Sequence, residues 1–230
     1  MKVKLISFSQ ANEWFRDVEG VNRPKSLQDL IAYAARVSNP SNQNNEATAE
    51  KLIRYLAKHK HWSPFEMVSV CLEIETTRDI ARQILRHRSF SFQEFSQRYA
   101  DPTDDLEFEL REARLQDPKN RQNSIETDKE DLKRFWMMKQ QQIIHEAKLA
   151  YKWAIENGIA KEQARSVLPE GNTVSRMYMN GTLRSWIHYI ELRSANGTQK
   201  EHMDIAKECA FIIASVFPMV MEYCNDGSSD

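Results

Sequence analysis

Five arginines (Arg78, Arg82, Arg86, Arg88 and Arg98) crowd into residues 78–98 against Asp79 and Glu94. That is a local charge of +3 with His87 neutral, in a chain of formal net charge −1. Positive charge so concentrated in a nearly neutral protein points to a focused anion site rather than a general basic surface. Arg78, Arg82 and Arg86 stand at i, i+4 and i+8, one stripe of a helix. Like charges at that spacing cost roughly 0.2–0.5 kcal/mol per pair, so a group outside the helix must compensate. Asp79, Glu73 and Glu75 are the candidate partners for any single arginine. The cations nevertheless continue past the helix end through Arg86-His87-Arg88. Residues 93–99 read as extended, with Glu94, Ser96 and Arg98 on one face and Phe95, Gln97 and Tyr99 on the other. An acceptor, a hydroxyl and a guanidinium on one face suit a ligand with both a phosphate and hydrogen-bonding edges. A solvated strand face accounts for the spacing equally well.

Two further groups stand out. His61 precedes Ser63-Pro64, and Glu66 follows; a histidine at a helix end ordinarily serves the C-terminal dipole. Arg184 and His188 are i, i+4 on one helix face, with Arg193 nine residues beyond Arg184 and Arg165 upstream. Charged helix faces are ordinarily solvated. The chain contains no GxGxxG, GxxxxGK[ST], HExxH or GxSxG, so no Rossmann fingerprint, P-loop, zincin or hydrolase elbow is expected. Cys71, Cys209 and Cys224 have no metal spacing; each reads as packing, no metal is expected, and a cytoplasmic location follows.

The elements that must position these residues come from periodicity and caps. Residues 1–8 and 67–75 alternate as strands; in the second, Val68, Val70, Leu72 and Ile74 share one face. Ser26-x-x-Asp29 is a capping box opening a helix. A second helix begins near Asn45 or Thr48, and a third follows Thr76 or Thr77, with Ile80, Ala81, Ile84 and Leu85 buried. Residues 101–125 read as loop with a short strand at Leu106–Leu110. Thr127-x-x-Glu130 caps a long helix that stops at Asn157-Gly158. Lys161–Val167 is a short helix and Thr173–Met179 is extended. Leu183–Leu192 and Lys200–Tyr223 are helical, and residues 225–230 are a frayed tail. Strands mixed with helices, without repeats or linkers, give one α+β domain over residues 1–230. With 41% hydrophobic residues the chain can bury a sizeable core, and a pI near 6.6 argues against bulk nucleic-acid binding. No apolar run approaches a bilayer span, and the N-terminal stretch does not read as a signal peptide.

Arg86-His87-Arg88, seven residues, then Ser96 resembles the signature of the flavin-dependent thymidylate synthases. His61-Trp-Ser-Pro-Phe-Glu66, Ala81-Arg-Gln83, Ala164-Arg165-Ser-Val-Leu-Pro169 and the stretch Leu183 to Arg193 resemble further family blocks in the same order, over roughly residues 25–205. The resemblance implies a thymidylate synthase-complementing-protein-like fold, an antiparallel or mixed sheet flanked by long helices. It implies a homotetramer that shares its active sites and binds neither nucleic acid nor membrane. The implied reaction converts dUMP to dTMP, with methylenetetrahydrofolate as carbon donor and NADPH reducing FAD. By matched position, Gln83, Arg86, Glu94, Ser96, Arg98, Arg165 and Arg193 contact dUMP, and Ser63, Arg86, His87, Arg88, Glu94, Arg184 and His188 contact FAD. His61 lies near the folate. Arg193 matches the catalytic position, where a permanent guanidinium polarises the pyrimidine. Ser96 is then a hydrogen-bonding residue rather than a nucleophile.

The chain departs from the family pattern at three positions and in one length, the segment from Arg165 to Arg184 being one residue longer. Thr182 stands for an Asn, Gly197 for a His, and Gln93 for the signature's Asn. The first two bear on flavin affinity and support a competing reading, a non-catalytic nucleotide-binding or helical interaction protein on the same scaffold. A nucleic-acid binder using residues 78–98 is a third reading, opposed by the overall charge.

Overall fold

The computed structural model describes residues 2–12 and 26–224; the tail expected at residues 225–230 lies outside them. Four strands form an antiparallel sheet in the order β1 (Lys2–Phe8), β2 (Ser69–Thr77), β6 (Val174–Thr182), β3 (Ser91–Glu94). A separate hairpin pairs β4 (Arg114–Gln116) with β5 (Ser124–Glu126). Among the described residues eight α-helices accompany them: α1 (Leu27–Ala35), α2 (Ala49–Lys58), α3 (Arg78–Ile84), α4 (Pro102–Asp105), α5 (Glu130–Glu156), α6 (Lys161–Ala164), α7 (Leu183–Arg193) and α8 (Lys200–Ala214). Among the described residues no helix is long and apolar enough to cross a membrane.

The period-two pattern of β2 buries Val70, Leu72 and Ile74 completely, and Met177 and Met179 of β6 continue that layer. Glu73 and Glu75 on the opposite face pair with Lys4 and Arg176 of the flanking strands. Trp186 of α7 is fully buried and donates its Nε1–H to the Val70 carbonyl at 2.9 Å, anchoring the helix across the sheet. Ser26 and Asp29 form the reciprocal capping box that starts α1. Gly158, at φ +77°, ends α5 as its sequence requires.

Several local expectations shift. Leu106–Leu110 contributes only the bridge Phe108 to Thr173. Thr127 reaches the Lys129 N–H at 3.3 Å instead of capping α5, whose first residue is Glu130. Thr48 and Thr77 precede α2 and α3, but their hydroxyls meet arginines, Arg36 and Arg111, rather than helix N–H groups. The last helix ends at Ala214, because Pro218 opens a separate 3-10 turn over Pro218–Tyr223.

Candidate functional site

The extended reading of residues 93–99 holds only in part. β3 stops at Glu94, Phe95 keeps one backbone bond to Arg176 at 2.8 Å, and the chain then turns, with the Tyr99 and Ala100 N–H groups returning to the Ser96 carbonyl. Period two therefore does not carry Glu94, Ser96 and Arg98 to a common face. Glu94 accepts from Ser175 at 2.7 Å and lies 3.8 Å from Arg78. Arg98 sits in the turn with its Nε 3.9 Å from Glu162, and Arg165 donates to the Glu162 carbonyl at 3.3 Å. Arg98 and Arg165 thus converge on one residue, although 67 positions separate them in the chain.

The arginine stripe of α3 finds its external compensation at Glu170, which meets Arg78 at 3.3 Å and Arg82 at 2.9 Å. None of the three carboxylates anticipated from the sequence does this. Arg86 and Arg88, beyond the helix, are exposed and make no ion pair among the described residues. Between them His87 turns inward. Its Nε2 accepts the Nε–H of Arg193 at 3.0 Å, and its ring stands edge-on to Tyr189 at 4.9 Å. Burial and the Arg193 charge pull the His87 imidazole down to about 4, so the ring is neutral at physiological pH. Arg193 forms no ion pair with a carboxylate among the described residues, so its charge is unneutralised.

Behind half-buried His87 lies a fully buried histidine, His202 of α8, with ring centroids 6.2 Å apart. Its Nδ1 is 3.3 Å from the Gln83 oxygen. Gln83 donates to Gln199 at 2.8 Å, Gln199 donates to Glu201 at 2.9 Å, and Arg111 and Arg114 close on Glu201. Sequence reasoning missed Gln199, Glu201 and His202. Glu201 and His202 look like ordinary members of an amphipathic helix, and the arginines opposing Glu201 come from a segment that reads as solvated loop.

A third group lies at the other end of α7. Arg184 pairs with Glu66 at 2.6 Å, and His188 stands edge-on to Trp62 at 4.7 Å. Ser63, exposed, opens the 3-10 turn Ser63–Met67 beside them. Burial, then Arg184, lowers the His188 pKa. His61 is exposed just past α2, where Lys60 at φ 58° turns the chain so that the His61 N–H returns to Leu56 at 2.8 Å. Arg184 and Arg193 are nine residues apart, about 13 Å along the α7 axis.

Both departures near these groups have local explanations. Thr182 is the N-cap of α7 and accepts from the Ser185 N–H at 3.3 Å, a cap an Asn also supplies. Gly197 has φ +89°, a conformation that disfavours a histidine. Cys209 is fully buried with its thiol pushed up by burial, and burial also raises Cys71, so neither resembles an activated nucleophile. No disulfide or metal-holding cluster occurs among the described residues.

A family model described as thymidylate synthase complementing protein matches residues 21–219. A probable flavin-dependent thymidylate synthase of Paramecium bursaria Chlorella virus 1 is 50% identical over 220 residues, covering 96% of this chain and 97% of that protein. A flavin-dependent thymidylate synthase of Synechocystis sp. is 51% identical over 197 residues, covering 86% and 89%. Among solved structures, the UMP/dUMP methylase PolB of Streptomyces cacaoi bound with 5-Br UMP aligns with TM-score 0.73 at 25% identity, over 96% of this chain and 92% of that one. The same protein with 5-Br dUMP aligns with TM-score 0.76 at 24% identity, over 96% and 93%, a likeness of fold.

Proposed function

The chain belongs to the thymidylate synthase complementing protein family, and from that membership we propose how its residues carry the reaction. It is a flavin-dependent thymidylate synthase, converting dUMP to dTMP. The observation that carries the assignment of roles is Arg193: its Nε–H is committed to neutral His87 at 3.0 Å, and no carboxylate among the described residues neutralises it. The remaining guanidinium donors are left for the pyrimidine edge. A fixed positive charge there favours the N3-deprotonated uracil and makes C5 nucleophilic. His87 must stay neutral for this, since an imidazolium would both repel Arg193 and lose the accepting lone pair.

Arg98 and Arg165, converging at Glu162, hold the 5′-phosphate of dUMP. Ser96 and Glu94 supply hydrogen bonds to the sugar and base, and Gln83 and Arg86 complete the nucleotide contacts. The guanidiniums of Arg86 and Arg88, without an ion pair among the described residues, fit the pyrophosphate of FAD, with His87 and Glu94 beside them. Ser63, Arg184 and His188 form the flavin's second contact group. Bound there, the flavin supplies the reducing equivalents for the methyl group, drawn from NADPH. Methylenetetrahydrofolate supplies the carbon, and exposed His61 lies on its side of the site.

The two flavin groups lie at opposite ends of α7, which supports sites completed by a neighbouring protomer in a homotetramer. Phe135, Met138, Ile143, Leu149 and Trp153 are each more than half exposed along α5 and support the same assembly. The cysteines, none of them in a disulfide among the described residues, support a cytoplasmic location. The test is tritium release from 5-tritiated dUMP with methylenetetrahydrofolate and NADPH, with FAD added or omitted. Release that requires all three is expected. Colourless protein that takes up no FAD and releases no label overturns the reading.

A further inference from the structure

The hydrogen bonds behind Gln83 run in one direction, and their polarity is set at Glu201. Burial pushes the Glu201 carboxyl up, but its own backbone N–H, Gln199, Arg111 and Arg114 hold it below the usual range, so it is a carboxylate. A carboxylate only accepts. The Gln199 atom 2.9 Å from Glu201 is therefore its Nε2 donor, which turns the Gln199 oxygen the other way. That oxygen accepts from Gln83 Nε2 at 2.8 Å, so the Gln83 oxygen faces His202 Nδ1 at 3.3 Å. Facing an acceptor, Nδ1 carries the ring proton. The His202 Nε2 is left as a bare lone pair, fully buried and without a partner among the described residues.

We infer that His202 is a positioning residue for nucleotide binding: its Nδ1–H locks the Gln83 carboxamide in one orientation, so that Gln83's remaining N–H and remaining lone pair meet the pyrimidine in fixed order. This rests on the reading that Gln83 contacts dUMP. A carboxamide is nearly symmetric in shape, and turning it over exchanges donor for acceptor. Only its anchored partners prevent that turn, and here they are Gln199 on one side and His202 on the other. Burial, Arg193 and His87 pull the His202 imidazole down to about 3, so the lock does not titrate in the neutral range.

The experiment uses the full-length, FAD-loaded enzyme and two variants. H202N keeps an N–H donor where Nδ1 stood; H202L removes it at similar bulk. One hydrogen bond of about 1 kcal/mol corresponds to a change of about fivefold. H202L is expected to raise both the dUMP KM and the calorimetric Kd about fivefold, with kcat within about twofold, and H202N to restore both. Side-chain 15N spectra of histidine-labelled wild type are expected to show the ring that is missing in H202N as the neutral Nδ1–H tautomer. A structural role alone predicts lower thermal stability and kcat with dUMP affinity unmoved. That outcome, or the Nε2–H tautomer, overturns the positioning role while the synthase reading stands. Wild type that neither binds dUMP nor releases label overturns the synthase reading and this inference with it.

Discussion

Arg193 donates its Nε–H to His87 Nε2 at 3.0 Å, joining the arginine that ends α7 to the histidine that follows α3, 106 residues earlier. The contact fixes His87 in the Nδ1–H tautomer and orients the guanidinium plane. Burial and the cation together hold the ring neutral, and the neutral ring accepts from the cation.

On the proposed roles, Arg193→Ala removes that charge from the pyrimidine edge. Loss of one preorganised electrostatic partner of this kind typically costs about 100–1,000-fold in kcat, so tritium release from 5-tritiated dUMP should fall at least about 100-fold. Assembly measured by light scattering should be unchanged, and NMR titration should show the His87 pKa rising, because Arg193 contributes to lowering it. Near-normal turnover would remove Arg193 from the catalytic role.

Folding stability should decline on acidification through a defined window. His87 and His202 are depressed from 6.5 to about 4 and about 3. Above 6.5 neither state takes up a proton at these rings, so stability is full. Below 6.5 the unfolded chain binds protons that the folded chain refuses, and stability falls until the folded pKa values are reached. The slope is at most about 1.4 kcal/mol per pH unit for each ring, and less at His87, which is partly exposed. Urea midpoints over this window should fall less steeply in H202N; an unaltered slope there would contradict the assignment.

Much of this architecture is legible in the sequence where one local signal suffices. The Ser26–Asp29 capping box, the alternation through Leu72 and Ile74 and the stop at Gly158 each depend on neighbouring residues. Legibility fails where the deciding partner is distant. Glu170 compensates Arg78 and Arg82 from 88 residues or more along the chain. The turn after Glu94 cuts short an alternation that continues on paper to Tyr99. The Gln199–Glu201–His202 group is invisible for the same reason: its meaning comes from Gln83, Arg111 and Arg114, which the topology alone brings together.

Glu201→Leu should destabilise the fold strongly. Glu201 is 6% exposed and closes on Arg111 and Arg114, themselves largely buried. Removing the carboxylate leaves two guanidiniums without it in a poorly solvated place, a class of change that costs about 3–5 kcal/mol. Asp79 and Glu112 still face the two arginines, so the lower end is expected in chemical denaturation. A loss below about 1 kcal/mol would show that those carboxylates suffice.

Gly197→His places the family's residue at a backbone φ of +89°. The left-handed conformation costs a side chain about 1–2 kcal/mol, and the thermal midpoint should fall accordingly. If the imidazole contributes to the flavin site, FAD affinity should rise despite the lower stability, a separation that absorbance titration alongside melting would detect.

Gly181→Ala tests how the signature segment is seated. A Cβ at Gly181 would lie 2.4 Å from Phe90 Cδ1 and 2.6 Å from its Cε1. Phe90 cannot simply swing away, because its ring packs edge-on against buried Trp186 at 4.8 Å. Overpacking of this kind costs about 1–3 kcal/mol. Phe90 lies two residues after Arg88 and four before Glu94, so the displaced ring should also disturb the segment carrying both and weaken dUMP binding. The two effects have one cause, and shrinking the ring should relieve both: in a Phe90→Leu background the added cost of Gly181→Ala should drop, giving a favourable coupling energy in the double-mutant cycle. Additive costs would mean that the clash with Phe90 is not what Gly181 avoids.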